Sequence, residues 1–232
     1  MSTLNSTRDG YIVGQQSTTF STARTTVGTG AANESSSSSS VFAVQFFTGR
    51  GGIHRFTRLY AHFDTSGISG TVSNATITIY GGSGTSTADV VILESSAFGG
   101  DGGTALATSD FYNEIDWATK YSNEYATTWA TGANVIPLLG RANTDIQNND
   151  DFTIAIVNHD RDYSNSDGSS VEGNQVDFSQ HFVLTYTETA SSPDNSFTYK
   201  VNGLIGATGG SREIQKICGV QKVNTIRKVI GV

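Results

Sequence analysis

No part of this 232-residue chain sustains the apolar spacing of a helix over a useful length. Its apolar residues come instead in short runs that stop at glycine, asparagine, aspartate or serine, which restricts the chain to strands joined by turns. Residues 75–80 show it most plainly: Ile77 and Ile79 alternate with Thr76, Thr78 and Tyr80, as in a strand with one face buried and one wet. Residues 54–63 divide in the same way, with Phe56, Arg58, Tyr60 and His62 on one face and Arg55, Thr57, Leu59, Ala61 and Phe63 on the other. Further strands are expected at residues 41–47, 88–94, 134–138, 152–157 and 182–186. Composition agrees, because Gly, Ser and Thr are abundant while the helix formers Leu, Lys and Glu are scarce. Seven or eight such strands with unequal connections predict an all-β fold, a jelly-roll antiparallel β-sandwich over residues 1–187.

Three stretches depart from this pattern. Residues 26–40, with serine at every position from 35 to 40, have no apolar face and are expected as a surface loop. Residues 95–124 are the least regular, with a Gly-Gly-Asp-Gly-Gly turn at 99–103 and a short helix expected over 108–112, capped by Ser109. Residues 158–174, rich in Asn, Asp, Ser and Gly, are expected as a loop between two strands.

The formal charge of −7 conceals a division. Residues 196–232 hold six Lys and Arg against one Glu, a formal +5, so the first 195 residues carry −12. An acidic body repels nucleic acid, and the basic tail lacks the interleaved aromatics that stack on bases. Its natural partner is an acidic protein surface, including the body of another copy. The N-terminal residues do not read as a secretory signal. No apolar run approaches the roughly 20 residues of a membrane span. Cys218 is the single cysteine, so disulfide chemistry is not expected and assembly in a cytoplasm is the simpler reading.

Residues suited to catalysis are sparse. His54, His62, His159 and His181 form no metal-spaced pair, and no Gly-x-Ser-x-Gly elbow occurs. Glu114 with Asp116 is a carboxylate pair of the kind hydrolases use, but such pairs are common on acidic surfaces, so no catalytic residue and no cofactor is assigned. The best metal candidate is the loop at 158–168, where Asp160, Asp162 and Asp167 offer oxygen ligands to a calcium ion. Trp117 and Trp129, near Tyr112, Tyr121 and Tyr125, are candidates for stacking on a glycan.

The tail carries a repeat. Lys200-Val201-Asn202-Gly203-Leu204, Lys216-Ile217-Cys218-Gly219-Val220 and Lys228-Val229-Ile230-Gly231-Val232 share the pattern Lys, β-branched, any residue, Gly, aliphatic. The last two extend backwards to Ile214 and Ile226. Each copy reads as a short strand closed by glycine, too small to stand alone and in need of partner strands. Residues 188–195 read as a linker and 196–232 as a basic arm for oligomerisation or docking.

Residues 55–68, ending in Phe63-Asp64-Thr65-Ser66-Gly67-Ile68, and then Ser73-Asn74-Ala75-Thr76-Ile77-Thr78-Ile79-Tyr80 resemble the DNRLRE-type jelly-roll domains of bacterial surface and phage proteins. The likeness extends through Trp129, the 158–162 segment and the strand closing at Tyr186, covering about residues 8–187. The tail is similar to the Lys-Ile-Asn-Gly-Val tails of tailed-bacteriophage virion proteins. Together these resemblances imply a virion structural protein, first a capsid decoration or cement subunit and next a head or tail fibre, with other virion proteins and copies of itself as partners. A trimer suits three repeats. The alternatives are a carbohydrate-binding module or adhesin and, beyond that, the subunit of an extracellular filament.

Overall fold

The computed structural model describes residues 1–34, 41–46, 52–82, 88–125, 129–168 and 172–190, and the short strands at 200–201, 204–205, 216–217 and 220–221. Two compact units result, Met1–Ala190 and Ser191–Val232. The first is all-β and antiparallel throughout, the sandwich the alternation predicts.

In chain order its strands are β1 (Ser2–Asn5), β2 (Arg8–Gly14), β3 (Val27–Glu34), β4 (Val41–Phe46), β5 (Phe56–Asp64), β6 (Thr71–Gly81), β7 (Val90–Ser95), β8 (Ile115–Lys120), β9 (Gly132–Pro137), β10 (Asp151–Asn158), β11 (Glu172–Val176) and β12 (Val183–Thr189). Helix α1 (Phe20–Thr25) lies between β2 and β3, and helix α2 (Gly140–Asn148) between β9 and β10. Strands β3, β2, β5, β10, β7 and β8 pair in that order as one half of the sandwich. Strands β1, β12, β6 and β9 form the other. The halves are one curled sheet, because β4 pairs with both β5 and β11, and β11 reaches β6 through Val176 opposite Gly81.

The two faces of the β5–β10–β7 half are both buried, which explains why these strands read as nearly continuous apolar runs. Leu59, Ala61 and Phe63 of β5, Ile154 and Ile156 of β10, and Val90 and Ile92 of β7 face the other half, meeting Ile77 and Ile79 of β6 and Leu184 of β12. The intervening Phe56, Tyr60, Ala155, Val157, Val91 and Leu93 face the opposite way into a second core with Phe98, Leu106, Phe111 and Ile115. The expected division of residues 54–63 into two faces is therefore present, with each face packed in its own core.

The cover of the second core is the segment between β7 and β8 that lacks a sequence period. It contains little regular structure: a 3-10 turn over Ala97–Gly99 and another over Thr108–Phe111. Side chains tie it down instead. Arg8 Nε donates to the Gly102 carbonyl at 2.7 Å and Arg8 Nη1 meets Glu34 at 2.9 Å. Glu34 also accepts from the Leu106 amide at 2.6 Å, and Thr153 Oγ1 donates to the Gly100 carbonyl at 3.2 Å. Phe98, completely buried, adopts φ +61, a left-handed conformation uncommon for a bulky residue. Burial of its ring in the core opposes that local cost.

Several expectations need correction. Residues 27–34 are strand β3, paired with β2 by backbone hydrogen bonds, and Val27 and Ala32 pack against the second core. The serines at 35–40 lie outside the described residues. The 108–112 helix is a single 3-10 turn, and its cap is not Ser109: the Asp110 carboxylate accepts from the Ala107 amide at 3.0 Å. Helix α2 was not expected. It buries Ala142, Asp145 and Ile146 and extends the cover of β6 beyond β9, since Asn143 and Gln147 accept from the amides of Ala75 and Val72, both at 3.2 Å.

Candidate functional site

In the C-terminal unit, β13 (Lys200–Val201) pairs antiparallel with β14 (Leu204–Ile205), and β15 (Lys216–Ile217) with β16 (Val220–Gln221). The two pairs share one register: Lys200 lies opposite Ile205 and Lys216 opposite Gln221, while Val201 lies opposite Leu204 and Ile217 opposite Val220. Each of the two described repeats is thus a minimal hairpin with both strands in one copy of the motif, where a single strand was expected. The two residues between the strands in sequence are Asn202-Gly203 in one, a dipeptide that favours a two-residue hairpin connection, and Cys218-Gly219 in the other. Among the assembly residues, Lys200, Val201, Leu204, Lys216, Ile217 and Val220 are in these strands. Gly203, Ile214, Gly219, Ile226, Lys228, Val229, Gly231 and Val232 lie outside the described residues, as does Cys218.

In the body, the three aspartates proposed for calcium do not converge. Residues 159–163 form a wide helical turn, with the Ser164 amide bonded to the His159 carbonyl at 3.0 Å and Asn158 Oδ1 accepting from the Arg161 amide at 2.7 Å. The turn sends Asp162 inward and leaves Asp160 near the surface. Both carboxylate oxygens of Asp162 are taken by Arg58, from Nε at 2.6 Å and Nη2 at 2.8 Å, which leaves that group unsuited to a cation. Asp167 is exposed and lies 3.6 Å from His54. Asp160 meets His159 Nδ1 at 3.0 Å.

Arg58 and Asp162 are the centre of a buried polar cluster that sequence reasoning missed. Arg58 also donates to the carbonyls of Arg24, at 2.6 Å, and Phe111. Arg24 Nε in turn donates to the Asp162 carbonyl at 2.7 Å and lies 3.3 Å from its carboxylate. Aromatic faces complete the shell, with Arg24 4.4 Å from the Trp117 ring centre and Arg58 4.0 Å from that of Phe111. Beside them Tyr60 is wholly buried, and burial pushes its phenol far above the usual range, so it stays protonated and donates to the carbonyls of Phe111 at 3.0 Å and Asp110 at 3.1 Å.

This arrangement also places the glycan candidates. Trp117 is half-buried beneath Arg24, and its indole N–H donates to the Tyr112 carbonyl at 3.3 Å. Trp129 packs against Tyr125 and donates to the Gln175 carbonyl at 3.2 Å. Both indoles anchor loops to the body. Glu114 and Asp116 are engaged locally: Glu114 takes the Ser96 hydroxyl, and Asp116 takes the Ala118 amide at 2.9 Å and the Thr119 hydroxyl at 2.8 Å. His62 is buried with both ring nitrogens in use, toward Thr7 Oγ1 at 2.6 Å and Asp151 Oδ1 at 3.1 Å. Among the described residues no helix is long and apolar enough to cross a membrane.

Comparison with protein-family models returns no match, and comparison with curated proteins likewise returns none.

Proposed function

We propose that this chain is a structural protein of a bacteriophage particle, first a capsid decoration or cement subunit and next a head fibre, whose C-terminal arm joins copies to one another or to the particle. One observation carries the reading: the same two-residue hairpin recurs in the same register at Lys200–Ile205 and Lys216–Gln221. Such hairpins bury little by themselves, and the outer edge of a two-stranded hairpin is a template for pairing with another strand. The arm is basic and the body acidic, so copies of one chain complement each other in charge. The body holds its own two cores, which suits a unit displayed from an attachment made elsewhere in the chain. A glycan-binding role has less support, because Trp117 and Trp129 are committed to packing.

The test is sedimentation of the full chain beside a chain ending at residue 195. The full chain is expected to run as an oligomer, a trimer if each repeat meets its equivalents, and the shortened one as a folded monomer that no longer binds particles. An unchanged oligomer with unchanged particle binding removes the arm from assembly and overturns the reading.

A further inference from the structure

Among the described residues one group of metal-ligating side chains converges: donor atoms of Glu124, His159 and Asp160 all lie within 4.8 Å of one another. His159 Nδ1 is 3.0 Å from Asp160 Oδ1 and 3.5 Å from Glu124 Oε1. Zinc holds imidazole nitrogen and carboxylate oxygen at about 2.0–2.2 Å in a tetrahedron, so two ligands of one ion stand roughly 3.4 Å apart. The His159–Glu124 spacing of 3.5 Å is close to that edge, and the His159–Asp160 spacing of 3.0 Å, a hydrogen bond in the metal-free protein, is a few tenths of an ångström short of it. An imidazole donor favours such an ion over calcium, which prefers a shell of oxygens.

Charge points the same way. Some carboxylates elsewhere in the body have arginine partners: Asp145 and Glu94 face Arg141, and Glu172 faces Arg161. Glu124 and Asp160 share only the imidazole of His159 among the described residues, and the neighbouring Lys120 directs its ammonium to the Tyr163 ring, 5.6 Å from its centre. Two carboxylates held close without a fixed cation repel each other, and a divalent ion removes that repulsion.

The ligands are also held in place. The His159 amide donates to the Asp89 carbonyl at 2.7 Å, and its ring stacks on Tyr163 at 5.7 Å with planes 23° apart. Glu124 precedes Tyr125, whose amide and carbonyl both pair with Val90. All three side chains are partly exposed, so an ion has a path in and room for water in its remaining positions.

We propose that Glu124, His159 and Asp160 form a surface site for zinc or a similar first-row divalent ion. The experiment is calorimetric titration of the full-length, chelator-stripped protein with zinc chloride, and separately with calcium chloride. One zinc per chain with micromolar affinity is expected, and a rise in melting temperature of about 5–10 °C at free zinc one hundred times the dissociation constant. Glu124→Gln, a change at an exposed position, and His159→Ala are each expected to weaken zinc at least tenfold, with Cys218→Ser leaving it unchanged. No zinc binding, zinc binding that survives both site variants, loss in Cys218→Ser, or preference for calcium would each overturn the assignment.

Discussion

Arg58 and Asp162, 104 residues apart in the chain, meet in a two-bonded ion pair with relative side-chain exposures of 0% and 1%. A pair so placed is weak evidence of net stability, because both charges surrender their hydration, but removing one partner strands the other.

Asp162→Asn is therefore expected to destabilise the body by about 3–5 kcal/mol. That corresponds to a fall in melting temperature of roughly 6–20 °C for a unit of this size. Replacing both residues, Arg58→Met with Asp162→Leu, is expected to cost less than the sum of the two single changes. Thermal unfolding of the three variants checks this, and a near-native Asp162→Asn would show that the pair does not bear on folding.

Gly102 covers the buried His62 at φ +71, and a β-carbon built there would stand 2.6 Å from the imidazole Cε1. Gly102→Ala is expected to cost about 1–3 kcal/mol through the backbone alone and more through displacement of the ring. Gly67→Ala, with nothing within 4 Å, is the control and is expected to change stability by no more than about 0.5 kcal/mol. Equal effects in urea unfolding would refute the close approach.

Three aspartates are held below the usual carboxylate range chiefly by hydroxyls: Asp64 by Ser66, Asp116 by Thr119 and Asp177 by Ser179. Their folded forms bind protons less readily than the unfolded chain does. Their contribution is complete above the unfolded value of about 4 and is lost as pH falls through the lower folded values. Urea midpoints between about pH 2 and 6 should fall on the acid side, less steeply in a variant with asparagine at all three positions. An identical profile in that variant would assign the acid response to other groups.

If basic arms meet acidic bodies, association should weaken as salt rises through the range where the screening length drops from about 10 Å to about 3 Å. Sedimentation across that range measures it. An oligomer indifferent to salt would show that strand pairing, and not charge, holds the copies.

Where one face of a strand is wet, the sequence announced it: residues 75–80 lie within β6 with Ile77 and Ile79 buried as their alternation requires. Strand β3 was hidden because Val27 and Ala32, which pack on the second core, stand five residues apart and show no period, while its pairing with β2 uses backbone groups that every residue has. Strand β8 was hidden inside the irregular stretch: its burial alternates from Ile115 to Lys120, but Ala118 and Thr119 give that alternation too little apolar contrast to read. Asp162 read as a cation ligand because its loop is rich in aspartate, and nothing local reveals that its counterion arrives from β5. The arm's period was visible, but not that the two described copies each contain both strands of a hairpin, since pairing at two residues a side leaves no alternation to detect.

The covering segment over the second core owes its shape to particular side chains, Arg8, Glu34, Thr153 and the ring of Phe98, because it has few repeating hydrogen bonds of its own. A strand tolerates many exchanges as long as its pattern survives; this overlay has no pattern to preserve. Substitutions scattered across the sandwich should thus be forgiven more readily than a single exchange at one of those ties, making the most irregular stretch of the body the least free to drift.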